Sequence, residues 1–129
     1  MIGLLKGNQG TQGIIREQSL EVIIPNITQN TSYTLPYYPR QRTILRVGGL
    51  QNTKENSLGT TQFTVSFGTN SNFTAINGLL NLNCSPSVLA DQEASINNII
   101  PANQQLRFSW ASVSNAPLDI SFRIDYTEP

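Results

Sequence analysis

Residues 118–126 read Leu-Asp-Ile-Ser-Phe-Arg-Ile-Asp-Tyr. Leu118, Ile120, Phe122, Ile124 and Tyr126 alternate without a break with Asp119, Ser121, Arg123 and Asp125. In an extended chain successive side chains point to opposite faces, so this stretch is a half-buried strand, apolar side in and charged side out. Just upstream, Leu106, Phe108 and Trp110 alternate in the same way with Arg107, Ser109 and Ala111. The alternation points Trp110 inward. Residues 112–117, Ser-Val-Ser-Asn-Ala-Pro, are turn formers, and the sequence predicts that the two strands close as a hairpin.

The same period recurs towards the N-terminus. Phe63, Val65 and Phe67 alternate with Gln62, Thr64 and Ser66 up to Gly68; after the Thr69–Asn72 turn signal, 73–83 resumes as a strand with Gly78 as a candidate bulge. Leu20, Val22 and Ile24 lead to Pro25. Tyr33 and Leu35 are stopped by Pro36, and Thr43, Leu45 and Val47 are closed by Gly48-Gly49. Residues 93–100 make a weaker strand, interrupted at Asn97-Asn98. The best helical window, Ser87–Ser95, has room for one or two turns. Short strands with Gly, Pro and Asn between them define an all-β chain, an antiparallel β-sandwich or jelly roll, with a small β-barrel as the alternative.

Residues 1–18 differ. Four glycines separate the apolar clusters Met1–Leu5 and Ile14–Ile15. Glycine this dense makes a chain pliant, so the segment reads as an extended N-terminal arm that orders on contact, ahead of one β-sandwich domain over 19–129. At 129 residues the chain has length for one domain. The N-terminus has no apolar run of signal-peptide length, and no stretch approaches a membrane span, which implies synthesis in a cytoplasm and no membrane partner. Sequons at Asn26, Asn30, Asn72 and Asn83 follow from the abundance of Asn, Ser and Thr.

Composition excludes much chemistry. Eight basic and eight acidic residues cancel, so no basic field exists for nucleic acid. The absence of histidine removes the commonest general base and metal ligand. The single Cys84 has no base beside it to make it a nucleophile. Asp119 and Asp125 share a strand face but stand about 20 Å apart, too far for paired carboxylate chemistry, and read as a solvated face. Asp91 and Glu93 are too few for a calcium loop, and no phosphate-binding glycine motif precedes a helix. The sequence therefore predicts no enzyme, no metal and no cofactor. Instead, Asn, Gln, Ser and Thr supply 48 residues, a surface suited to wet polar contacts.

One local concentration of charge stands out. Arg40, Arg42 and Arg46 follow the pair Tyr37-Tyr38, and period two sets Arg42 and Arg46 on one strand face, either side of Ile44. Arginine and tyrosine combine large contact area with oriented hydrogen bonds and are enriched at protein interfaces; the same mixture also suits a single-strand nucleic-acid or sugar groove.

The closing segment, Ile99-Ile100-Pro101-Ala102-Asn103-Gln104-Gln105-Leu106-Arg107-Phe108 followed by 118–126, resembles the last two strands of small phage structural proteins, over about residues 97–127. With the Asn/Thr-rich all-β profile and the arm, the chain looks like a head decoration, or cement, protein of a tailed bacteriophage. That resemblance implies a jelly-roll body, commonly a homotrimer, made in the host cytoplasm and binding the major capsid protein from the outside of the virion. The alternative is a phage fibre or tail domain that binds a receptor or carbohydrate. The partner contacts expected are Leu4, Leu5, Ile14 and Ile15 in the arm, with Tyr37, Tyr38, Arg40, Arg42 and Arg46.

Overall fold

The computed structural model describes residues 16–54, 58–86 and 90–129. Ten strands make up the described chain: β1 (Glu17–Ile27), β2 (Thr31–Thr34), β3 (Arg42–Asn52), β4 (Thr60–Thr69), β5 (Asn72–Ala75), β6 (Leu82–Cys84), β7 (Ala90–Glu93), β8 (Ile99–Ile100), β9 (Gln105–Ser114) and β10 (Leu118–Thr127). One sheet has the order β1-β10-β3-β7, with β8 also on β3. The other has the order β2-β9-β4-β5, with β6 also on β4. All pairings are antiparallel. Early strands meet late ones in nested order, β1 with β10, β2 with β9, β3 with β7 and β8, and β4 with β5 and β6. The chain is thus one long ribbon folded back at Asn70-Ser71 and wrapped into two sheets, which is the jelly roll expected from the strand pattern.

The alternating apolar residues meet between the sheets. Phe63, Phe108, Ile120 and Ile124 are fully buried and Phe122 is nearly so. The Phe122 ring, from one sheet, lies 4.7 Å from Phe63 and 4.9 Å from Phe108 of the other. Such tilted aromatic contacts add to plain area burial. Trp110 is buried as its alternation requires, and its Nε1 donates to the Gln29 carbonyl at 3.0 Å.

Several local expectations are corrected. β9 and β10 do not pair as a hairpin: each joins a different sheet, and the 115–117 link crosses from one to the other. Both strands carry an apolar face, and facing each other across the core buries both faces. Gly48-Gly49 does not close β3. The strand runs on to Asn52, and Gly49, at φ 64°, forms a bulge that shifts register against β10 between Arg123 and Ser121. Pro25 likewise lies inside β1, an edge strand where a missing N–H is tolerated, beside a bulge at Asn26 with φ 58°. Residues 73–83 are not one strand. β5 and β6 both pair with β4, separated by a loop in which Gly78 has φ 94° and its Cα faces the Glu93 carbonyl too closely for a Cβ. The window expected to hold helical turns contains β7 instead; its residues 87–89 lie outside the described residues.

Candidate functional site

β1 starts at Glu17, which sits beside Thr127 of β10, which in turn sits beside Thr43 of β3. The start of β1, the start of β3 and the end of β10 therefore share one end of the sandwich. The Leu35–Pro39 link reaches the same end, where Tyr38 bridges to Gln104. Prolines 36 and 39 keep this link extended, as their fixed φ requires.

Tyr38, Arg40 and Glu128 form a closed ring of hydrogen bonds. The Tyr38 hydroxyl donates to Glu128 Oε2, Arg40 Nε donates to Glu128 Oε1 at 2.6 Å, and Arg40 Nη2 donates to the Tyr38 hydroxyl at 2.8 Å. The bonds from Arg40 and then Tyr38 hold the Glu128 carboxyl below the usual carboxylate range. The bond to Glu128 pushes the Tyr38 hydroxyl up. Beneath this ring lies Arg42, only 4% exposed. Its guanidinium carbon sits 4.1 Å from the centre of the Tyr38 ring and 5.9 Å from that of Tyr126, a cation held between two aromatic faces. Arg42 Nε is buried without a hydrogen-bond partner, and so is Gln104 Oε1. Burial pushes the Arg42 guanidinium down.

Arg46 belongs elsewhere. A bulge at Leu45 puts Tyr126 opposite Ile44 but Asp125 opposite Arg46, so one extra residue inverts the alternation between Arg42 and Arg46. The two arginines therefore lie on opposite faces of β3, correcting the shared face expected from period two. On the outer face Arg46 meets Glu17 at 2.7 Å and Asp125 at 2.8 Å, the latter an ion pair without hydrogen-bond alignment. Asp125, expected to be solvated, is 1% exposed. It accepts from Ser19 Oγ at 2.7 Å and from Arg123 Nε at 2.8 Å. Burial pushes its carboxyl up. The hydrogen bonds of Arg123 and Ser19 and the charges of Arg123 and Arg46 outweigh that and hold it below the usual range. The Arg123 guanidinium lies across Gly48, where an added Cβ would come within 2.3 Å of Nη2. Asp119, the other carboxylate on this face, accepts from the Asn26 N–H.

The structure thus brings together Tyr38, Arg40 and Arg42, sets Arg46 in a separate ion-pair network, and leaves Tyr37 half exposed. Leu4, Leu5, Ile14 and Ile15 lie outside the described residues. Sequence reasoning missed Glu128 and Tyr126 as members of the cluster. Tyr126 was visible as the end of the alternating run, but only the cross-strand order places it beside residue 42. Cys84 is fully buried, its thiol pushed up to about 12 by desolvation. Among the described residues no three His, Cys, Asp or Glu side chains gather as a metal-binding group, and no helix is long and apolar enough to cross a membrane. The outer side of the second sheet carries shallow uncharged clefts, lined by Thr60, Gln62, Asn83 and Ser112 and, sharing Gln62, by Thr64 and Ser109.

No family model matches the chain, and no curated protein does. Solved structures similar to it include a chain of infectious bursal disease virus, Gt strain, at TM-score 0.47 and 9% identity, covering 90% of this chain and 32% of that one. A chain of turnip yellow mosaic virus is similar at TM-score 0.42 and 11% identity, covering 89% of this chain and 93% of that one. The chain spans about a third of the length of the bursal disease virus chain it matches. The jelly-roll assignment stands on the strand order alone. The strand order defines a jelly-roll domain of two packed antiparallel sheets.

Proposed function

We propose that this is a non-enzymatic viral structural protein that binds the outside of a bacteriophage capsid and stabilises it, acting as cement. The observation that carries this reading is the convergence of two contact elements on one end of the sandwich. The Tyr38–Arg40–Arg42 cluster and the start of β1, to which residues 1–16 are joined, share that end. A protein that grips a repeating surface gains from concentrating its contacts there. Arginine offers oriented bonds to carboxylates. The apolar residues Leu4, Leu5, Ile14 and Ile15 supply anchors for an arm that adds a strand to an exposed edge of the major capsid protein. The resemblance of residues 97–127 to phage structural proteins points the same way. A homotrimer on the capsid surface is the assembled form we expect.

The experiment is co-sedimentation with virus-like shells, using wild-type protein, a deletion of residues 1–15, and Arg40→Ala with Arg46→Ala. Wild type should pellet with shells, the deletion should fold but stay in solution, and the arginine variant should bind more weakly with a shallower salt dependence. Equal decoration by all three would remove the proposal. A second reading, a fibre or tail domain that binds carbohydrate, is favoured by the uncharged amide- and hydroxyl-lined clefts around Gln62. Glycan-array binding abolished by Gln62→Ala, without shell binding, would select it.

A further inference from the structure

A buried guanidinium without a hydrogen-bonded anion is costly, because its desolvation is offset only by aromatic contact. Arg42 is in that condition: nearly buried, between two tyrosine rings, with Nε unpartnered and no ion pair among the described residues. The acids among the described residues do not complete it. Glu128 is held by Arg40 and Tyr38, and Glu17 and Asp125 are held by Arg46 on the outer face. Residues 1–15, which join the sandwich at this end, contain no Asp or Glu. With Glu128 neutralising Arg40, the rim keeps one net positive charge, on Arg42.

We infer that Arg42 is the docking point for a carboxylate of a partner protein, an aspartate or glutamate side chain that reaches the rim between Tyr38 and Tyr126. The inference deepens the proposed function, naming the group on the partner that the rim receives. The aromatic faces hold the guanidinium in place before the partner arrives, so little side-chain freedom is left to lose on binding.

The first arm of the test needs no shells. The Arg42 Nε–H signal, assigned by its loss in Arg42→Met, is followed by nitrogen-edited NMR during titration with sodium acetate, against sodium chloride at equal ionic strength. Acetate should move it saturably while the Arg107 signal stays still. Arg42→Met, apolar and of similar length, should fold with an unfolding midpoint equal to or above wild type, since it removes an uncompensated buried charge. It should bind shells roughly ten- to a hundredfold more weakly, the worth of one charge-assisted bond. An Arg42 signal indifferent to acetate would overturn the inference. So would a large loss of stability in Arg42→Met, which would make the residue a structural prop. A stronger response to inorganic phosphate than to acetate would overturn the carboxylate in favour of a phosphate-bearing partner. If acetate binds and shells do not, the inference stands and the capsid reading falls.

Discussion

Phe122→Ala removes the ring that ties the two sheets together. Phe122 lies on β10, the central strand between β1 and β3, and its ring touches Phe63 and Phe108 of the opposite sheet. It is 4% exposed, so the truncation leaves a cavity at the middle of the sandwich, walled by rings that cannot collapse into it without disturbing β4 and β9. Phe-to-Ala changes in cores cost about 3–5 kcal/mol, and each lost aromatic pair adds about 0.5–1.5 kcal/mol beyond area. The expected loss is therefore about 5 kcal/mol. A domain of this size has a total stability of about 5–15 kcal/mol, so the variant sits at the edge of folding. Phe122→Leu keeps most of the volume and loses the ring contacts, and should cost about 1–2 kcal/mol. Urea unfolding followed by tryptophan fluorescence reads both. A double-mutant cycle with Phe108→Leu isolates the cross-sheet pair, with an expected coupling of about 1 kcal/mol. A cost below about 1 kcal/mol for Phe122→Ala, or no coupling to Phe108, would refute the packing of the two sheets through this triad.

Three further outcomes are expected. Asp125→Asn should cost about 1–3 kcal/mol at neutral pH by unpairing Arg46 and Arg123, both partly solvated. Because the Asp125 pKa is depressed in the fold, its contribution is full above the unfolded value near 3.9 and disappears as pH falls through the lower folded value; acid titration of stability should therefore be flatter in the variant below pH 4. Gly68→Ala would put a Cβ 1.9 Å from the Asn72 carbonyl oxygen, a backbone atom of the β4–β5 turn, and should destabilise by about 1–3 kcal/mol in the same unfolding assay. Cys84, buried and with its thiol pushed up to about 12, should resist thiol reagents in the native protein at pH 8 and react at once in denaturant, read by absorbance of the released chromophore.

The sequence is legible where a residue's own position in a period decides its fate. Leu118 to Ile124 and Leu106 to Trp110 alternate cleanly, and each apolar member is buried as the period requires. Which sheet a strand joins is not written in its period. A core-facing strand in either sheet has the same alternation, so β9 and β10 look like hairpin partners although they face each other across the core. The site suffered from a finer cause. Counting by twos through Ile44 puts Arg42 and Arg46 side by side, and the single bulged residue Leu45 separates them by the thickness of the sheet. Glu128 gains its role only because the end of β10 returns beside Tyr38 and Arg40, some 90 positions earlier in the chain.

The place of β10 governs when the molecule can exist at all. Its neighbours β1 and β3 wait for a strand made well after both, and Ser19 and Asp125, joined by a hydrogen bond, are 106 positions apart. Closing such a span costs chain entropy before any contact returns it, and folds built on distant pairing reach the native state in milliseconds to seconds. During synthesis β4 and β5 can zip early, while β1 stays unpaired until β10 has left the ribosome. Chains that stall before Leu118 would carry two open strand edges and an uncovered Phe63–Phe108 face, which are templates for aggregation. Along that edge β1 carries Glu17, Glu21 and Pro25, charges and a missing donor that blunt pairing with another chain.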